Sequence, residues 1–199
     1  MNTQQGTTLI LGGTGKTGRR VAARLQGRKL PVRVAARSTA QRFDWAEPNT
    51  WEPTLEGIQS LYIAYPPDLA APTSGPHLQA LAKQAVASGV RKIVLLSGRG
   101  EPQCYPAERA VRESGAGFTI VRCAWFAQNF SEGHLLHGIL AGELAFPGGA
   151  VAEPFVDVED TADVAVAALT SNAHDGKIYE LSGPRLLGFD EAVAEIASV

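Results

Sequence analysis

Thr7–Thr8–Leu9–Ile10–Leu11–Gly12–Gly13–Thr14–Gly15–Lys16–Thr17–Gly18 is the stretch from which the rest of the chain is read. Apolar and β-branched residues run straight into glycines at 12, 15 and 18, and an amphipathic segment follows from Arg19. A buried strand, a tight turn and a helix start in that order form the place where a dinucleotide pyrophosphate lies. Gly12 permits the turn, Gly15 lets the backbone approach a phosphate, and Gly18 lets the helix pack closely on the sheet. Gly12, Thr14, Gly15, Lys16, Thr17 and Gly18 are therefore the candidate phosphate contacts. Free N–H groups and the positive end of the helix dipole face the anion.

Working outward, Val21, Ala22 and Leu25 recur on one side of a helix ending near Gly27, with Arg19, Arg20, Arg24 and Arg28 outside. Residues 31–36 read as a second strand, which closes a right-handed βαβ unit. That strand ends at Arg37–Ser38. An acidic residue there would hold the ribose hydroxyls of NAD, whereas a basic one accommodates the 2′-phosphate of NADP, so NADPH is expected in preference to NADH. Lys16 is a second candidate for the same phosphate.

Residues 39–57 read as irregular, with Phe43–Asp44–Trp45 as a short third strand. Asp44 is placed either to accept from an adenine amino group or to cap a turn. Residues 61–65 form a buried strand stopped by Pro66–Pro67, and Tyr65 and Pro66 would flank a nicotinamide ribose. A helix over 75–88 leads to a strand over 92–96, whose end aims Ser97 at the same crevice, near the nicotinamide with Tyr65 and Pro66; its hydroxyl is placed either to orient a substrate polar group or to cap a turn. A helix over 108–113 and a strand over 118–122 follow. Large aromatics and amides come next: Trp125, Phe126 and Asn129, with Pro67, are the candidate substrate wall. Residues 131–144 read as helical with glycine interruptions, and His134 and His137 lie three apart without the acid cluster a metal site needs. Phe146–Gly149 is a loop, 154–158 a short strand, and Asp160 a helix cap. A strand over 177–181 and a helix from Phe189 complete the pattern.

Composition narrows the function classes. The chain has 199 residues, 45% hydrophobic and 19% charged, with a formal charge of −2. That leaves no broad basic field for nucleic acid. Two cysteines, Cys104 and Cys123, are too few for a disulfide framework or a zinc cluster. No apolar run reaches the ~20 residues of a membrane span, and the simplest location is the cytoplasm. Length and pattern together predict an α/β fold, a Rossmann-like doubly wound parallel sheet. Residues 1–199 are read as one NAD(P)-binding domain in which 125–199 supply the small, truncated C-terminal substrate-side portion.

With these residues in view the chain resembles the NmrA-like group of atypical short-chain dehydrogenase/reductases, on the side related to ergot-alkaloid reductases. The matching pieces are Gly12–Gly18, Arg37, Leu95–Glu101, Trp125–Phe130 and Pro154–Val164. The resemblance implies hydride transfer from NADPH to a small conjugated or aromatic acceptor such as a quinone, enone or iminium. The group also contains regulators that bind NADP and catalyse nothing, which is the alternative. One departure is that the tyrosine-then-lysine pair of dehydrogenases is missing, since Tyr105 is followed four residues on by Arg109, while Cys104 stands where many relatives carry lysine. Tyr105 and Ser97 are the remaining candidate catalytic groups. Relatives also continue beyond the helix at Phe189, so the site is expected to be more open or to be completed by a second copy or a protein partner.

Overall fold

The computed structural model describes residues 6–145, 148 and 150–198. Within the loop expected at Phe146–Gly149, residues 146, 147 and 149 lie outside the described residues. The strands are β1 (Thr7–Leu11), β2 (Val32–Ala35), β3 (Ile58–Ile63), β4 (Lys92–Gly98), β5 (Gly117–Cys123), β6 (Ala152–Glu153), β7 (Lys177–Leu181) and β8 (Leu187–Gly188). Six of them form one parallel sheet in the order β2-β1-β3-β4-β5-β7, and β6 pairs antiparallel with β8 outside it. The helices are α1 (Lys16–Gly27), α2 (Trp51–Leu55), α3 (Ser74–Ala87), α4 (Tyr105–Arg112), α5 (Asn129–Glu132), α6 (Leu136–Ala141), α7 (Val158–Thr170) and α8 (Phe189–Ala197). The doubly wound α/β architecture is as the sequence predicts.

Strand alternation distributes the core. Leu9 and Leu11, Leu61 and Ile63, and Ile93 and Leu95 face α3 and α4, where they meet Leu78, Leu81, Ala85 and Val111. Ile10, Tyr62, Val94 and Val121 point the other way, onto Val21 and Leu25 of α1 and Ala162, Ala165 and Val166 of α7. Strands buried on both faces read as the continuous apolar runs seen in the sequence. A third small core, Phe130, Leu135, Phe189 and Ala192, joins the segments after β5 to α8.

Three local expectations are corrected, and the glycine interruption expected in 131–144 is located. Phe43–Asp44–Trp45 is not a strand: the only sheet-like contact nearby is a single bridge between Ala36 and Arg42, so β2 forms the sheet edge. Asp44 Oδ1 instead accepts from the Ala46 N–H at 3.0 Å, and the chain turns through Pro48–Thr50 into α2. Residues 154–158 make only one bridge, Phe126 with Val156. Asp157 rather than Asp160 caps α7, its Oδ1 accepting from the Glu159 N–H at 2.7 Å. The helical stretch 131–144 is broken at Gly133 into α5 and α6.

The arginines that the sequence places outside α1 are not simply solvated. Arg20 pairs with Glu132 of α5 and Glu159 of α7, Arg24 with Glu159 and Asp163, and Arg19 with Glu132. Hydrogen bonds from Arg20 are the main cause holding the Glu132 and Glu159 carboxyls below the ordinary carboxylate range. Depressed folded-state values mean that this contribution is complete above the unfolded pKa of about 4.3 and disappears as pH falls through the folded value. Urea midpoints measured from pH 6 to pH 3 should therefore fall steeply below about pH 4.5. The fall should be flatter in Arg20→Met, and an equal slope in that variant would refute the assignment.

Candidate functional site

The site begins where β1 stops. Gly12 has φ +78°, and a Cβ there would lie 2.5 Å from the Ala64 carbonyl oxygen. Its own carbonyl accepts from the Gly15 N–H at 3.0 Å, closing the turn. A Cβ on Gly18 would lie 2.3 Å from the Gly12 oxygen. Gly18 thus lets α1 sit directly on the turn, where the sequence assigned it to helix–sheet packing. The N-terminus of α1 has neither a side-chain cap nor an acidic residue in its first turn. Its first N–H groups remain available to an anion.

From this turn a cavity of about 560 Å³ runs across the carboxyl ends of β1, β2 and β3. The order of the sheet reverses between β1 and β3, so this is the crevice in which open α/β sheets bind ligands. Gly12, Thr14, Gly15, Lys16 and Thr17 form one bank, and Tyr65, Pro66 and Pro67 form the other. Arg37 lines the far end; it is exposed and, among the described residues, has no carboxylate partner. Ser38 follows on the surface and does not line the cavity. Arg42 is already committed, with Nη1 and Nη2 on the Glu47 carboxylate at 2.5 and 2.7 Å. Asp44 lines the same end, its side chain engaged in the turn described above.

The sequence did not disclose the aromatic floor of this end. Trp45 packs against Tyr65 at 4.6 Å between ring centroids and lies parallel to His77 at 6.1 Å. The Tyr65 hydroxyl shares a hydrogen bond of 2.7 Å with His77 Nδ1. His77 therefore belongs to the cavity wall and positions Tyr65. A flat apolar wall beside a free guanidinium suits a purine nucleotide carrying an extra phosphate.

A second cavity of about 410 Å³ adjoins the first. Lys16, Tyr65, Pro67, Leu96 and Phe126 line both, so the two are one continuous groove. Trp125, Phe126, Asn129 and Pro67 all line this compartment, where the sequence placed a substrate wall. Lys16 Nζ lies 3.1 Å from where a Gly133 Cβ would be, and Lys16 lines both compartments, at their junction. Glu101 and His134 also line this space. Among the described residues no group of three His, Cys, Asp or Glu side chains could hold a metal ion.

Of the two candidate catalytic groups, Tyr105 lies outside the groove and Ser97 lines it. Tyr105 is 44% exposed and lines a groove on the far side of α4, with the Arg122 guanidinium 4.9 Å from its ring centre. The short turn Pro102–Cys104 rotates α4 so that Cys104 and Glu108 face inward and Tyr105 outward. Ser97 does line the substrate compartment, but its hydroxyl donates to Glu108 Oε1 at 2.7 Å. Glu108 is 2% exposed and is gripped by Arg122 Nε at 2.9 Å and Nη2 at 2.7 Å. Burial raises the Cys104 thiol above its ordinary value and pushes Cys123 up to about 11, so both remain protonated at neutral pH.

No protein-family model matches the chain. It is 32% identical to prestalk A differentiation protein A of Dictyostelium discoideum, covering 96% of this chain and 68% of that protein. It is 33% identical to agroclavine dehydrogenase of Claviceps fusiformis, covering 96% and 72%. In three dimensions it is similar to an NADPH-dependent quinone oxidoreductase from Escherichia coli, with a TM-score of 0.78 at 20% identity over 96% of this chain and 74% of that one. With a glycine turn and an aromatic-walled groove on a sheet of this order, and relatives matched along nearly its whole length, the chain belongs to the NmrA-like group of atypical short-chain dehydrogenase/reductases.

Proposed function

We propose that the protein is an NADPH-dependent reductase acting on a small, planar, conjugated acceptor of the quinone, enone or iminium type. The carrying observation is the continuous groove, with an unpaired Arg37 at one end and an aromatic compartment at the other. Reductase activity with a nicotinamide cofactor accords with the agroclavine dehydrogenase relative. The preference for NADPH rests on Arg37, whose planar fork matches a phosphate.

The residues fit the cofactor. The open N-terminus of α1 would hold the pyrophosphate, Trp45 and Tyr65 would flank the nucleotide, and Arg37 would take the 2′-phosphate. When bound, the reduced nicotinamide supplies a hydride, and this chemistry is the cofactor's own. The protein contributes orientation and exclusion of water: Trp125 and Phe126 present flat surfaces to an acceptor, and Asn129 offers it an amide. Tyr105 faces away, so it donates no proton to this compartment. That arrangement suits acceptors that need no strong acid.

Purified protein should oxidise NADPH with at least one member of a quinone, enone and iminium panel, and do so more slowly with NADH. Binding of neither dinucleotide would overturn the reading. The outward placement of Tyr105 also fits a nucleotide-sensing protein. Tight NADPH binding with no turnover across the panel, joined to partner binding that differs between NADP⁺ and NADPH, would favour that second reading.

A further inference from the structure

Ser97 lines the second compartment of the groove, beside its junction with the first, with a hydrogen-bond polarity that its neighbours fix. Arg122 is a donor only and holds both oxygens of Glu108, and Glu108 raises the guanidinium far above its ordinary value, so the two form a buried ion pair. A carboxylate accepts and cannot donate. The 2.7 Å contact therefore consumes the single proton of the Ser97 hydroxyl. Toward the cavity Ser97 has lone pairs only. It lines the second compartment and adjoins Leu96, which lines both, so it stands beside the junction of the two.

We propose that the Ser97–Glu108–Arg122 chain makes Ser97 an obligate acceptor at this junction, and that its ligand is a primary amide N–H, the carboxamide of the nicotinamide ring. The assignment rests on the cofactor reading above. The opposite role, Ser97 donating to a substrate oxygen, would leave Glu108 Oε1 without its hydroxyl and trade a charge-assisted hydrogen bond for a neutral one. Selection by an acceptor-only group is strong, because a partner with no N–H leaves a lone pair facing a lone pair.

The test compares binding of NADP⁺ with that of its 3-acetylpyridine analogue, in which a methyl ketone replaces the amide, by calorimetry without substrate. The unmodified protein should bind NADP⁺ about tenfold more tightly, the value of one hydrogen bond with its unmatched partner. Ser97→Ala should bring the ratio close to one while folding normally, since only a hydroxyl is removed. Glu108→Gln should also narrow the ratio, because a glutamine amide can donate to Ser97 and free its proton to serve the ketone. An unchanged ratio in Ser97→Ala, or no discrimination in the unmodified protein, overturns the assignment while leaving cofactor binding intact. Failure to bind either dinucleotide overturns the functional reading and this inference with it.

Discussion

Arg37→Ala should weaken NADPH binding by about 10- to 100-fold and change NADH binding by less than about twofold, the range for losing one or two charge-assisted hydrogen bonds. The guanidinium lies at the end of β2, exposed and without an ion-pair partner among the described residues, so its removal strands no buried group. The loss should appear as ligand affinity and not as stability. Arg42 stands nearby but cannot substitute, because its fork is held by Glu47 and its remaining charge faces Asp44 at 3.6 Å. Arg42→Ala should therefore cost far less than Arg37→Ala. An exposed phosphate contact is also screened by salt. The NADPH advantage should shrink between about 0.05 and 0.5 M salt in the unmodified protein and be nearly flat in Arg37→Ala. Calorimetric titration with both dinucleotides checks this, and equal loss for NADPH and NADH would show that Arg37 supports the fold of the groove and not the phosphate.

This part of the site was legible because its signals are local. A strand, three glycines and a helix lie within a short stretch, and the residue that ends β2 follows one strand later. The aromatic floor was not legible. Phe43 and Trp45 alternate around Asp44 in a way that imitates a strand, but they are held by one another and by Trp51 of α2, His77 of α3 and Tyr65 just after β3. Ring packing and the Asp44 turn override the local pattern there. The arginines of α1 misled for the same reason, since their carboxylates lie more than a hundred residues away. Tyr105 and Ser97 illustrate a subtler limit. Sequence reads Ser97 at the end of a strand over 92–96 and Tyr105 a few residues on, yet one short turn sends Tyr105 to the outer surface, and the ion pair behind Ser97 decides which way its proton points.

That ion pair carries the largest expected effect on stability. Arg122→Ala should destabilise the protein by about 3–5 kcal/mol at neutral pH, because it leaves the Glu108 carboxylate buried without its cation. Glu108 has 2% of its side chain exposed and Arg122 17%, whereas Glu180, the other partner of Arg122, is half exposed and can be hydrated. The loss corresponds to a fall in Tm of about 10 °C for a chain of this size. Removing both charges should cost much less than the sum of the single changes: Glu108→Leu/Arg122→Met keeps volume at both positions and leaves no orphaned charge. Denaturant melts of the four proteins of this cycle at pH 7 give the single-variant loss and the coupling between the two residues. A single-variant loss below about 1 kcal/mol, or additive losses in the double variant, would mean that water reaches Glu108. Ser97 would then no longer be held with its proton turned away from the cavity.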